Sequence, residues 1–306
     1  MPHACAFVLG SAVAGRICSA EFHAVFRSPP MPVVLLHGLL STPREFGLIS
    51  LPLRAGGTSF IAPHVEGYTE AHGQGVKRWR DWLAAAETAV RQAIPEGQPF
   101  VLGGLCTGGL IAAALAIEGR LPVHALVLMS PTFGFDGWGR SPWWRWRWLA
   151  YVLGIERWIS TAERSPFGIK NEKLRRWVQR DMKRRADSAA GPARLPLWAI
   201  AETERIAAHV VRNLGRLPPR AVLIHAREDE VCSLAQVERV FNAMPIDDKN
   251  LIVLENSFHM ITLDNDRQRV VAELRKAALA TPASSAWPDA DTSMAGRAYP
   301  SSLAVA

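Results

Sequence analysis

Hydrophobic residues in this chain gather into short β-branched and leucine-rich runs that alternate with longer stretches of helical period. "PVVLLH" (32–37), bounded by prolines and a glycine, is a continuous apolar run that predicts a strand buried on both faces. "TSFIAP" (58–63), "PFVLGG" (99–104), "VHALVLMS" (123–130), "RAVLIHA" (220–226) and "NLIVLE" (250–255) repeat the pattern. Between them, "VKRWRDWLAAAETAVRQAI" (76–94) places Trp79, Leu83, Ala86, Val90 and Ile94 on one stripe at helical spacing. "CTGGLIAAALAIEGR", "SLAQVERVFNAM" and "DRQRVVAELRKAAL" carry the same helical signal.

Strand alternating with helix predicts an α/β architecture, a mostly parallel, doubly wound sheet with right-handed crossovers and helices on both faces. Such sheets put their chemistry at the carboxyl ends of the strands. The alternation breaks once, from about residue 131 to 217, where a Trp-, Arg- and Pro-rich stretch intervenes. An inserted helical cap over the strand ends is the expectation, with residues 21–130 and 218–280 forming the core. Residues 1–20 read as a loose extension, because they lack the basic start of a signal peptide and Arg16 interrupts their apolar run. Residues 281–306, rich in Ser, Pro and Ala without a period, read as a disordered tail. No segment reaches the roughly 18–20 apolar residues of a membrane span.

Composition narrows the class. With 306 residues, 49% hydrophobic and 21% charged, the chain can bury one large core. Cys5, Cys18, Cys106 and Cys232 have no paired spacing, so neither a metal site nor a disulfide framework is expected, and a reducing cytoplasm fits them. No cofactor is expected either. The net charge of +7 is uneven: residues 140–185 hold 13 Lys and Arg against 4 acidic residues, whereas the remainder holds 22 against 24. That basic stretch sits in the insert and no nucleic-acid module accompanies it, which argues against a nucleic-acid partner.

The chemistry concentrates at strand ends. Gly104-Leu105-Cys106-Thr107-Gly108 has the Gly-x-Ser-x-Gly spacing of a nucleophile elbow with a thiol in the serine position, and it stands where a predicted strand runs into a predicted helix. Gly104 and Gly108 would let the helix pack closely while Cys106 projects upward. The helix N-terminus behind the thiol favours its anion, and the Thr107 N–H points to where an oxyanion would form. A buried, inert cysteine is the alternative at this point. Asp229 follows the strand 220–226, flanked by Glu228 and Glu230, and His259 follows the last strand. Asp136 and Asp264 are alternatives for the acid, although neither follows the penultimate strand. His37-Gly38-Leu39 ends the first strand, where Gly38 lets the next N–H swing toward the nucleophile. His64 and His72 read as loop residues, Cys232 as packing and His225 as locally bonded.

With "LLHGLLSTPREF", "GLCTGG", "REDEV" and "SFHMITLD", the chain resembles the α/β-hydrolase superfamily, and within it small bacterial carboxylesterases and monoacylglycerol lipases, over roughly residues 31–280. The resemblance implies Cys106 as nucleophile, Asp229 orienting His259, and the N–H groups of Leu39 and Thr107 as the oxyanion hole. Cys for Ser is the departure. It keeps acyl chemistry and suits thioester donors, since acyl exchange between thioesters is nearly thermoneutral. Hydrolysis of an ester or thioester is the expectation. Acyl transfer from a coenzyme A or carrier-protein thioester, and a catalytically silent binding protein, remain alternatives. In the cap, Trp138, Trp143, Trp144 and Trp146, with interleaved arginines, are candidate substrate contacts. Its basic surface would receive a carrier or CoA phosphate or touch an anionic membrane, or else serve only as lid structure.

Overall fold

The computed structural model describes residues 30–71, 75–139, 144, 146–185, 187–188 and 191–279. The expected extension (1–20), the tail (281–306), His72 and Trp143 lie outside these residues. All six apolar runs form strands: β1 (Val33–Leu36), β2 (Phe60–Ile61), β3 (Phe100–Leu105), β4 (Val123–Met129), β5 (Arg220–Ala226) and β6 (Asp248–Leu254). They make one sheet in the order β6-β5-β4-β3-β1-β2, with every neighbouring pair parallel. β1 and β3 are buried along their whole length, as continuous apolar runs covered on both faces must be.

Two helical layers supply the cover. On one face, α2 (Trp79–Ala93), α3 (Thr107–Glu118) and α6 (Leu197–Arg212) pack on one another and share a core that includes Trp82, Leu110, Leu115, Trp198 and Ile206. On the other, α1 (Gly47–Ala55) packs against α8 (Arg267–Leu279), burying Ile49, Leu53, Val270 and Leu274 with Val33 and Leu35. The two kinds of helix differ in sequence for a reason. α2 shows water a polar face and buries Trp79, Leu83, Ala86 and Val90 of the predicted stripe together with Trp82, whereas α3 is buried at every position from Thr107 to Ile117 and is accordingly apolar all round. The remaining helix of the core, α7 (Leu234–Ala243), starts at Ser233, whose side chain accepts the Gln236 N–H.

The insert is not purely helical. It carries α4 (Arg147–Val152) and α5 (Glu172–Arg185), together with two short antiparallel ribbons, Ser160–Ala162 on Arg194–Pro196 and Asp187–Ser188 on Gly191–Pro192. Its last helix, α6, does not lie over the strand ends. Trp198, Ile200, Ile206, Ala207 and Val210 form a buried face that packs on α3, so α6 is the crossover helix that returns the chain to β5.

Register brings the strand ends to one edge. Leu36 lies opposite Gly104, Leu105 opposite Met129, Met129 opposite Ile224, and Ala226 opposite Leu254. The turns that follow therefore emerge side by side. At the centre of this edge α3 comes so near β1 that a Cβ on Gly108 would meet the carbonyl oxygens of Leu36 and His37 at 2.2 Å. A Cβ on Gly104 would meet the Gly108 carbonyl carbon at 2.3 Å. Because backbone rather than a flexible side chain stands in the way, Gly108→Ala should lower stability by about 3 kcal/mol, or roughly 6–12 °C in melting temperature. Thermal unfolding followed by circular dichroism checks this, and a loss near zero would mean that α3 can move away from β1.

Candidate active site

Cys106 caps α3 with φ 57° and ψ −124°, a backbone region hostile to residues with a side chain. Strain of this kind costs about 1–3 kcal/mol and persists only where the surroundings enforce it. Here its N–H donates to Met129 O at 2.9 Å and its carbonyl accepts the Gly109 N–H at 3.1 Å, fixing the turn from both sides. The side chain is left partly exposed, with Sγ 3.1 Å from Thr132 Oγ1 and 3.8 Å from Thr107 Oγ1.

The turns after β5 and β6 meet beside it. His259 Nδ1 is 2.7 Å from Asp229 Oδ2, and Asp229 Oδ1 accepts the N–H groups of Val231 at 2.8 Å and Cys232 at 3.0 Å. His225 Nε2 donates to Cys232 O at 2.9 Å and lies 3.6 Å from Asp229 Oδ2. Burial opposes the Asp229 carboxylate, but the two imidazoles and the backbone donors outweigh it and hold the acid below its usual range. Burial likewise opposes the His259 cation, and Asp229 with Cys106 overrides it, raising the imidazole well above its ordinary value. For the Cys106 thiol, burial acts upward, while His259, Thr132 and Thr107 bring the net result below the ordinary thiol range. His259 Nε2 has no well-formed hydrogen bond among the described residues, yet stands close enough to the thiol for each to shift the other's ionisation.

The turn after β1 closes the third side. Among the described residues the N–H groups of Leu39 and Thr107 make no hydrogen bond, so both are free to serve a ligand. His37 is a neutral structural residue: Nδ1 donates to Gly38 O at 3.0 Å, Nε2 accepts from Thr69 Oγ1 at 2.7 Å, and the ring stacks on Tyr68. Burial lowers its pKa to about 4. The Gly38 N–H donates to the buried Glu45 carboxylate at 2.7 Å.

Comparison with known proteins bears on this arrangement. The family Hydrolase_4, described as serine aminopeptidase, S33, matches residues 27–266. This chain belongs to that family of α/β-hydrolases. A thermostable monoacylglycerol lipase of Bacillus sp. (strain H-257) is 22% identical over 250 residues, covering 79% of this chain and 88% of the relative. A structure from a report of two metagenome-derived lipolytic enzymes, LipS and LipT, superposes with a TM-score of 0.64 at 21% identity, covering 80% of this chain and 93% of that one. A soluble variant of monoglyceride lipase from Saccharomyces cerevisiae gives 0.63 at 15% identity, covering 81% and 85%. At these identities the likeness to the solved structures is one of fold.

Within this hydrolase the other expected acids have different work. Asp136 accepts the N–H and hydroxyl of Ser233 at the start of α7, and Asp264 accepts the N–H groups of Lys170, Asn171 and Phe258. Glu228 pairs with Lys170 at 2.6 Å. Glu230 accepts the His259 N–H at 3.2 Å, and burial together with the Asp229 charge lifts its pKa to about 7. The cap tryptophans are dispersed: Trp138 donates to Glu228 O and meets Phe258 edge-on, Trp144 packs on Phe135, and Trp146 is 55% exposed. Thr132 and Glu45 were not singled out from sequence. Thr132 stands just past β4, a strand-end position that could have flagged it, whereas "PREF" gives no hint that its glutamate is buried.

A depressed thiol beside a raised imidazole favours a thiolate–imidazolium pair below the ordinary thiol range. Cys106 should therefore alkylate with iodoacetamide faster than an ordinary thiol does at pH values below the ordinary thiol value of about 8.5. The rate should fall only as pH drops through the lowered pKa. In His259→Ala the inflection should move upward, and buried Cys232, its thiol pushed up by burial, should stay unlabelled in the folded protein. Peptide mapping of the label reads both sites, and an unmoved inflection would separate His259 from the thiol.

Proposed function

We propose that this hydrolase cleaves carboxylic esters through an acyl-cysteine, with Cys106 as nucleophile, His259 as acid and base, and Asp229 holding the imidazole. The observation that carries the reading is the 2.7 Å Asp229–His259 contact beside a thiol on a strained strand-to-helix turn. The thiolate adds to the carbonyl carbon, and the oxygen's developing charge falls to the free N–H groups of Leu39 and Thr107. Collapse expels the alcohol, which takes its proton from His259 Nε2 and leaves a thioester on Cys106. Neutral His259 then draws a proton from water, hydroxide adds to the thioester, and the thiolate departs with the imidazolium restored. The same cycle accepts a thioester donor, with a thiol as leaving group.

The cap favours a lipid ester. From residue 146 to 159 it exposes Trp146, Trp148, Leu149, Val152, Leu153, Ile155, Trp158 and Ile159, with Val152 at 74% and Trp158 at 70%. An apolar ridge of that extent marks a contact surface, and tryptophans beside arginines suit the boundary of an anionic lipid aggregate. Among the described residues no helix is long and apolar enough to cross a membrane.

Two measurements test the reading. Incubation with long-chain monoacylglycerol, aryl ester and acyl-CoA, followed by intact-protein mass spectrometry, should show one acyl group on Cys106 and none in Cys106→Ala. Turnover surviving in the Ala variant would overturn the acyl-cysteine. Sedimentation with phosphatidylglycerol-containing vesicles should be strong for the wild type and weakened at least several-fold in the Val152→Ser/Leu153→Ser double variant, while turnover of a soluble short-chain ester stays unchanged. Equal sedimentation of the two proteins would remove the ridge from substrate access.

A further inference from the structure

Among the buried acids outside this cycle, Glu45 lies nearest the Gly38 turn. Glu45 is 2% exposed, in the short 3-10 turn Pro43–Phe46 that precedes α1. Its Oε2 accepts the Gly38 N–H at 2.7 Å, and its backbone carbonyl accepts the Thr262 hydroxyl at 2.9 Å, from the loop that carries His259. The point where a side chain on Gly38 would begin lies 3.1 Å from Glu45 Oε1 and 3.6 Å from Cys106 Cβ, so carboxyl and nucleophile flank one spot. The titratable groups facing it are Cys106 from the elbow, His259 from the last loop, and Tyr68 from the loop after β2. Ser41 and the cap's Gly191 complete its surroundings, with neutral His37 adjoining Gly38. Among the described residues no lysine or arginine pairs with it.

A glutamine or serine would satisfy the Gly38 N–H without the desolvation that a carboxyl suffers here. What a carboxyl adds is a second state. Protonated, it still accepts the Gly38 N–H. Ionised, it sets a negative charge beside the place where a thiolate and then an oxyanion must form, and like charges in so dry a site oppose each other strongly.

We propose that Glu45 is a positioning residue for the carbonyl-oxygen site, holding the Gly38 turn so that the Leu39 N–H faces that oxygen, and that it serves this role protonated, its ionisation opposing acylation. The inference rests on the acyl-cysteine reading above. Burial places the Glu45 pKa at about 7, so both states are reached in ordinary buffers. The sign follows: acylation assisted by Glu45 is fully present below that value and is lost as pH rises through it.

Single-turnover acylation by a short-chain nitrophenyl ester, followed from pH 5.5 to 8.5, tests the assignment. The wild type should lose rate on the alkaline side of about pH 7. Glu45→Gln keeps an acceptor for Gly38 and cannot ionise, so it should stay within about threefold of the wild type at pH 6 and show no alkaline loss. Glu45→Ala should be slower than the wild type by about 100-fold in acylation rate at pH 6, with substrate affinity little changed, and should likewise show no alkaline loss. A fold readout runs beside these. A carboxyl with a raised folded-state pKa subtracts stability as pH climbs from the ordinary carboxylate range past 7, so Glu45→Gln should melt above the wild type at pH 8 and not at pH 5. An alkaline limb retained in Glu45→Gln, or wild-type rates in Glu45→Ala, overturns the proposal. Intact mass taken during the burst separates the two levels. Acyl-Cys106 formed at rates indifferent to residue 45 defeats only the Glu45 assignment, whereas no acyl-Cys106 in the wild type defeats the enzyme reading and this one with it.

Discussion

Helix α3 can begin directly behind β3 only because two stretches of bare backbone touch: Gly108 rests on the carbonyls of Leu36 and His37, and Gly104 on Gly108. That approach leaves no room for the usual relaxed strand-to-helix turn. The residue between them is forced to positive φ, and its side chain is thrust out at the strand edge beside the first turn of the helix. The backbone strain at Cys106 is thus sustained by packing rather than by any bond of its own. The same contact sets the distance between the elbow and the turn after β1, and therefore how far Gly38, Leu39 and Glu45 stand from the thiol.

Three buried acids near the site show how local donors decide charge. Asp229 receives two backbone N–H groups on one oxygen and an imidazole on the other, enough to outweigh burial and keep it ionised. Glu230 accepts the His259 N–H and Glu45 the Gly38 N–H, and both rise to about 7. The difference lies in the number and charge of partners rather than in depth, since all three are less than a tenth exposed. One negative charge therefore stands behind His259, where it favours the imidazolium, and a neutralisable one stands beside Gly38 and Cys106.

A thiol at the elbow fits this electrostatic arrangement. A thiol whose pKa a neighbouring imidazole lowers gives up its proton more readily than a serine hydroxyl would at the same place. The hydroxyls of Thr132 and Thr107 lie beside the sulfur where bulk water reaches it only in part.

Much of this was legible in the chain alone. Strand runs, helical stripes and the order Cys106, Asp229, His259 follow from local periodicity and from where each residue stands after its strand, because a parallel sheet turns sequence position into position along one edge. The glycines at 104 and 108 announced a close approach for the same local reason. What tertiary structure alone decided involves partners far apart in sequence. "LPLWAIAETERIAAHVVR" falls by position in the expected cap, and only the packing of its buried face on α3 makes it a sheet helix. Position after the penultimate strand favoured Asp229 over Asp136 and Asp264, but only the donors that surround each one reveal a helix cap, an imidazole partner and a loop clasp. Glu45 looks like an exposed turn residue, and its burial arises from Gly38, the loop bearing His259 and Thr262, and the cap's Gly191 closing around it. Periodicity reports which side of an element is apolar, but not which distant backbone group will claim a single polar atom, and in a dry site that claim sets the atom's charge.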